Sequence, residues 1–416
     1  MSAPVADKGV AGRLLGSATV MYFVALAMSG IAILLSVALP PTERGLLVAT
    51  TTSATVGVAV GGLSMEAFLL AQGRRWLEGL AGRRSFGIYL ATVPMSAALG
   101  WVFAEYSAEA SPGLSAIGAA FIALSTLPAA AGLTLGEFLS VYRYRAIFAV
   151  ITPVLYVALI VAGVRDAGVW LLAWLVCQAL MAAAMWTKHG APLKVIARRA
   201  STEPERLARM GLTHTGAVAQ IVPFRFDQLA LSRYQGPDAL AVYSLAVAAI
   251  EFSQAGAVIA AQRTLGDHEE GSADRLRGVL RNTALITAAI AVLVLIGLAG
   301  IGLLTSAYAG ALALGALLLP RSIAVAMDKV LSARLVNIGG ERITAMVSIG
   351  TGLAAVIGYT VVAPVYGAAG IATISAVLFA VHATVIAFAL RSRVRRRPAE
   401  SATASGSIDT RVGGRA

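Results

Sequence analysis

Four charged residues inside long apolar stretches are the groups of this chain best placed to do chemistry: Arg225, Asp227, Glu251 and Arg321. A charge at membrane depth is costly to hold, so each must be paired or must face water or a ligand. Arg225 lies about 21 Å into a core roughly 30 Å thick, too deep for an end-of-helix charge. Asp227 is a poor partner for it, because helical residues two apart point to nearly opposite faces. Glu251, in the following apolar stretch, sits about 9 Å deeper, at the limit of an Arg side chain. Two readings follow. In one, these charges pair with one another and fix helix packing. In the other, Arg225 and Arg321 line a cavity and bind an anionic group, while Glu251 or Asp227 takes up a coupling ion. Glu66 and Asp328 fall about 30 Å along their stretches, at an interface where solvated carboxylates are ordinary.

Other chemistries lack their residues. The sequence has no nucleophile elbow, no Gly-rich phosphate loop ending in Gly-Lys-Ser/Thr and no metal-ligand spacing, so no catalytic residue, metal or cofactor is assigned. Its one cysteine, Cys177, lies in an apolar segment and reads as a small core residue. The histidines His189, His214, His268 and His382 are scattered.

The elements that must position these residues are membrane-spanning helices. Of 416 residues, 58% are hydrophobic and only 13% charged, and the mean hydropathy is +0.79. Apolar runs of about twenty residues recur from Leu14 to Leu390, each long enough to cross a bilayer. They predict an all-α membrane protein with about twelve transmembrane helices in two six-helix bundles around a central cavity. The domains are residues 1–186, a cytoplasmic linker at 187–210, a second bundle at 211–390 and a basic, disordered tail at 391–416. The first run is too long for the apolar part of a signal peptide and reads as the first span.

Orientation follows from the loops. With the N-terminus inside, 29 of the 33 Lys and Arg residues fall on the cytoplasmic side, and the opposite side receives only Arg44, Arg165 and Arg233. An error of one span in the middle would invert every later loop. The net charge of +12 is therefore a topology signal rather than a nucleic-acid footprint. The expected location is the cytoplasmic (inner) membrane, multi-pass, with both termini inside, in contact with membrane lipids. Prolines inside the spans, Pro94, Pro128, Pro153, Pro223 and Pro320, mark bends or breaks.

Two segments carry a family resemblance. From Asn337 to Leu390, Gly339-Gly340 precedes one span and Ala363-Pro364-Val365-Tyr366-Gly367-Ala368-Ala369-Gly370-Ile371-Ala372 opens the next. The run Phe224-Arg225-Phe226-Asp227-Gln228-Leu229 is followed by Ala241-Val242-Tyr243-Ser244-Leu245-Ala246. Both resemble the polysaccharide (Wzx-type) flippases of the multidrug/oligosaccharidyl-lipid/polysaccharide exporter superfamily, with Ala241 in place of the usual Gly. The resemblance implies alternating access around a cationic cavity and a lipid-linked oligosaccharide or polysaccharide precursor as cargo, with glycan-assembly enzymes as partners. Peptidoglycan-precursor flippases of the superfamily usually have fourteen spans, which argues against that branch; its multidrug exporters share the twelve.

Two other classes compete. A major-facilitator exporter shares the span count, but its signature between spans two and three matches only at Gly82-Arg83-Arg84. A membrane-embedded glycan polymerase needs a sizeable outer loop, and the stretch around Glu105 and Glu109 is short. The charge distribution is directly testable: reporter fusions within 187–210 and in the tail should both read as cytoplasmic, and an external reading of either overturns the span count.

Overall fold

In the computed structural model, which describes residues 8–64, 83–191, 205–266 and 273–406, the described residues are almost entirely helical. The helices are α1 (Lys8–Leu35), α2 (Pro41–Gly61), α3 (Arg83–Ser107), α4 (Pro112–Thr134), α5 (Phe138–Val161) and α6 (Ala167–His189). They continue as α7 (Glu205–Phe252), α8 (Ala255–Gly266), α9 (Ala273–Leu304), α10 (Gly310–Asn337) and α11 (Glu341–Gly406). The two longest are each two helical arms. At Gly236 (φ 80°, ψ −179°) and Gly367 (φ 54°, ψ −144°) the backbone leaves helical geometry, in a region of φ that glycine alone adopts without strain. Pro237 then starts the second arm of α7, where its missing N–H costs nothing. Each expected span overlaps one of these helices or arms; Glu66 lies outside the described residues.

Seven stretches of the described helices are long and apolar enough to cross a membrane, and one of them, Glu341–Val394, runs to 54 residues. Leu293, Leu303, Leu304, Met346 and Phe388 are exposed, as lipid-facing side chains must be in a bundle whose solvent is hydrocarbon. Helices α2, α3 and α7 fall outside the seven, and they carry polar residues that turn inward: Thr50, Thr52 and Ser53, then Thr92 and Ser96, then Asp227, Gln228 and Ser232 are all buried.

The main contacts form two groups. In the first, α1 packs on α5, α2 on α3 and α4, and α4 and α5 on α6. In the second, α7 and α10 pack on α11, and α9 and α8 on α10. The groups meet through α7, chiefly against α2. This meeting is tight at one end of the bundle, where the first turn of α2 meets the bend of α7. A Cβ added at Gly45 would lie 2.1 Å from the Pro237 carbonyl oxygen, so hydrogen is the only side chain that fits. At the same end Thr42 Oγ1 donates to Asp238 Oδ1 at 2.7 Å, and the Tyr308 hydroxyl donates to the Leu39 carbonyl at 3.0 Å.

Three expectations need correction. Arg44 belongs to a helix rather than a loop, because Pro41 at the first helical position starts α2 earlier than the apolar run does. Asp328 is 18% exposed rather than solvated; Ser332 donates to it at 2.9 Å and His382 Nε2 lies 3.4 Å away. The last helix continues past Leu390 to Gly406 where disorder was expected, since adding residues to an existing helix needs no new nucleus. Arg393 anchors its first extra turn by donating to the Ile338 carbonyl at 2.9 Å.

The Gly45 contact has a stability consequence. Gly45→Ala should destabilise the protein by about 1–3 kcal/mol, the usual cost of overpacking, read as a lowered thermal midpoint in detergent. Gly297→Ala, where nothing lies within 4 Å, should leave the midpoint unchanged.

Candidate functional site

The four charges singled out in the sequence do come together, across three helical arms. On α7, Pro223 removes a helix donor, and Tyr359 of α11 holds this turn by donating its hydroxyl to the Pro223 carbonyl at 3.0 Å. Immediately beyond, Arg225 and Asp227 diverge. Arg225 Nη2 lies 3.1 Å from Glu251 Oε2, with side-chain exposures of 34% and 22%. Asp227 turns the other way and is wholly buried, with Oδ2 3.1 Å from Arg321 Nη1 of α10 and 2.7 Å from the Tyr243 hydroxyl, which donates to it. Arg321 Nη2 also lies 3.6 Å from Glu251 Oε1, so the four charges form one chain, Arg225 to Glu251 to Arg321 to Asp227. The Arg321 guanidinium also lies against the packed pair of rings Phe224 and Phe379, 5.3 Å from each centroid, with the two centroids 4.6 Å apart.

Two carboxylates facing two guanidiniums balance in charge, and the partners of Arg321 and Asp227 enclose them almost completely. Arg321 was expected to line a cavity; it is 2% exposed and does not line the large cavity described next, because Asp227 and the two phenyl rings draw it into the second helix group. Breaking a buried pair strands its other half, which typically costs about 3–5 kcal/mol, so this pair acts first as a structural clamp. Glu251 stands beside a helix break. The chain leaves helical geometry after Phe252 and resumes at Ala255, and Ser253 Oγ meets Ser322 Oγ of α10 at 2.7 Å. No proline marks this break, and only the short run Ser253-Gln254-Ala255-Gly256 accompanies it in the sequence.

A cavity of about 520 Å³ opens between the two helix groups, lined by α1, α2, α5, α6 and both arms of α7. That is ample for a small ligand or a lipid headgroup. Three arginines line it, Arg44, Arg145 and Arg225, together with hydroxyls and amides such as Thr52, Gln178, Gln228 and Ser244. No carboxylate is among the described residues of its wall. Of the candidates read from sequence, only Arg225 faces this space; Asp227, Glu251 and Arg321 lie behind it.

Arg44 and Arg145 escaped the sequence reading, which assigned both to loops. Arg44 is completely buried. Its Nε donates to Ser36 Oγ at 2.9 Å, and its Nη1 donates to the Ala241 carbonyl and to Ser244 Oγ, the latter at 2.9 Å. The Tyr308 ring lies 5.7 Å from the guanidinium carbon. Arg145 lies over the Tyr142 ring of its own helix, 5.7 Å from the centroid. The available sequence signal for Arg44 was the Pro40-Pro41 pair, which starts a helix ahead of it. For Arg145, only the approach of α1 and α6 to α5 makes a wall.

Neither any known protein-family model nor any curated protein matches this sequence. Solved structures do match. The chain is similar to the lipid II flippase MurJ in an inward closed conformation, with a TM-score of 0.64 and 12% identity over 89% of this chain and 87% of that one. It is also similar to an inward-facing multidrug resistance MATE family transporter of the MOP superfamily, with a TM-score of 0.61 and 14% identity over 91% and 94%. A mutant of the Vibrio cholerae MATE transporter VcmN matches with a TM-score of 0.55 and 14% identity over 92% and 98%. At such identities a likeness establishes architecture alone, and the chain shares the all-α membrane fold of these three proteins.

Proposed function

We propose that this protein is a flippase that moves a lipid-linked oligosaccharide or polysaccharide precursor across the cytoplasmic membrane by alternating access. The observation that carries this reading is the cavity between the two helix groups, walled by Arg44, Arg145 and Arg225 with no carboxylate among the described residues of its lining. In a low-dielectric site, guanidiniums favour an anionic ligand and repel a cationic one. A polyprenyl-linked pyrophosphate is such a ligand, and it suits the two-pronged hydrogen bonding of arginine. The solved structure of similar fold that is named a lipid II flippase, MurJ, points to the same class of cargo. The two helix groups are the bodies that move, and residues 187–210 join them. The Lys and Arg count puts both termini inside, so the tightly packed end at Gly45 and Pro237 faces outward and the chain is in an inward-facing state.

Within the charge chain, roles divide by geometry. Arg225 meets the headgroup, Arg321 and Asp227 hold α7 to α10, and Glu251 bridges the two pairs. A coupling ion would act at Glu251, the more exposed of the two carboxylates.

Because Glu251 stays within 3.6 Å of Arg321, removing Arg225 does not strand it. Arg225→Ala should therefore accumulate in the membrane at normal levels and lose transport. Arg225→Lys should keep the charge and lose most transport, since a lost charge-assisted hydrogen bond costs about 1.5–3 kcal/mol, or roughly ten- to a hundredfold in headgroup affinity. Normal transport by the alanine variant removes Arg225 from the site. In the cell, deleting the gene should leave lipid-linked oligosaccharide accumulating on the cytoplasmic leaflet while its synthesis continues. Loss of the glycan without accumulated precursor points to a polymerase or synthase.

A further inference from the structure

Arg44 is a buried cation whose hydrogen bonds, among the described residues, all go to uncharged groups. It lies where the two helix groups meet, and it lines the cavity. The contrast with Arg321 is instructive. Arg321 has a wholly buried carboxylate 3.1 Å away, a second 3.6 Å away and two rings packed against it, and it does not line the cavity. Arg44 has a serine on its own side of the interface, and a carbonyl and a second serine on the other. An anionic acceptor adds to the hydrogen bond a Coulombic attraction that a carbonyl or a serine cannot supply, and that attraction is largest in a low-dielectric site. An anion in the cavity can therefore outcompete the partners of Arg44, although not those of Arg321.

Those partners are also what Arg44 contributes to closing this end. Its Nη1 makes two bonds from α2 to the second arm of α7, at Ala241 and Ser244. Its Nε bond to Ser36 keeps the side chain with the first helix group when the other two are given up. The Tyr308 ring beside it belongs to the turn before α10, and the Tyr308 hydroxyl holds Leu39, so the second group is touched at two places. The other polar bond at this end, Thr42 to Asp238, is exposed and weakly held.

We propose that Arg44 couples occupancy of the cavity to opening of its extracytoplasmic end: the anionic headgroup takes over the guanidinium donors now held by Ala241 and Ser244, and so releases α2 from α7. This rests on the flippase reading, since it needs an anionic headgroup in the cavity. It assigns a second ligand to that headgroup, and it makes the ligand the residue that reports its arrival. A neutral lipid of the same shape would enter without opening the outer end.

Hydrogen–deuterium exchange on the full chain in lipid nanodiscs tests this, with farnesyl pyrophosphate as the anionic probe and farnesol as the uncharged control. In the wild-type protein the pyrophosphate should raise amide exchange across residues 40–45 and 237–248 by about tenfold, and farnesol should not change it. Arg44→Gln should show the raised exchange without probe and no further response to it. If that variant fails to accumulate, Ser244→Ala serves: with one of the two bonds gone and the guanidinium kept, it should open at lower probe concentration than the wild type. Calorimetry of probe binding separates the two levels of the argument. Binding by the wild-type protein with unchanged exchange at this end overturns the coupling and leaves the flippase reading standing. No binding of the pyrophosphate above that of farnesol overturns the flippase reading itself.

Discussion

A guanidinium cannot shed its charge and cannot be left bare in hydrocarbon, and the interior of this protein is arranged around that constraint. Three arginines of the interior, Arg44, Arg225 and Arg321, meet it in different ways. Arg321 is matched by Asp227 at 3.1 Å and walled by Phe224 and Phe379, which clamps α7, α10 and α11 together. Arg225 shares Glu251 with it and keeps about a third of its surface open to the cavity. Arg44 is satisfied by neutral groups at the seam between the two helix groups. The first is fixed, the second is half committed, and the third is exchangeable. That gradient runs from the middle of the second group towards the interface that must part if the protein alternates.

Helix α7 carries most of this design. Its Arg225 and Asp227, two residues apart, point to opposite sides, so one helix presents a cation to the cavity and an anion to the core behind it. Pro223 just before them frees a turn that Tyr359 captures, and Tyr243 from the second arm of α7 closes on Asp227. The interruption after Phe252 follows the same logic. Broken backbone at membrane depth is tolerated only against protein or a cavity, and here Ser253 and Ser322 meet across it beside Glu251.

Close packing supplies the complement. Gly45 against Pro237, and Gly57 against the backbone of Gly100, bring helix axes nearer than side chains would permit. In lipid, where apolar side chains gain nothing by leaving their surroundings, such contacts and the buried polar bonds hold the bundle together. The seam between the groups is held this way at the Gly45 end, while the 520 Å³ cavity lies along it. An interface made of close approach and a few exchangeable hydrogen bonds can separate as a unit, whereas the clamp around Asp227 cannot without stranding a charge.

The helices and their order were legible in the sequence alone, which also carried an expectation for the side of the membrane on which the loops fall. Each depends on local properties: the length of an apolar run, a proline or glycine at a boundary, the sign of the charge beside it. The sequence also marked Arg225, Asp227, Glu251 and Arg321 as needing explanation, and the helical periodicity made Asp227 a poor partner for Arg225. Which partner each took was decided only by tertiary structure, because Asp227 and Arg321 lie 94 residues apart and Arg44 meets Ser244 across 200. The same distance hid the cavity wall. Arg44 and Arg145 look like loop charges until α7 closes on α2 and α1 packs on α5. A residue's local pattern states what it costs to bury, and the fold alone supplies the neighbours that make the burial tolerable.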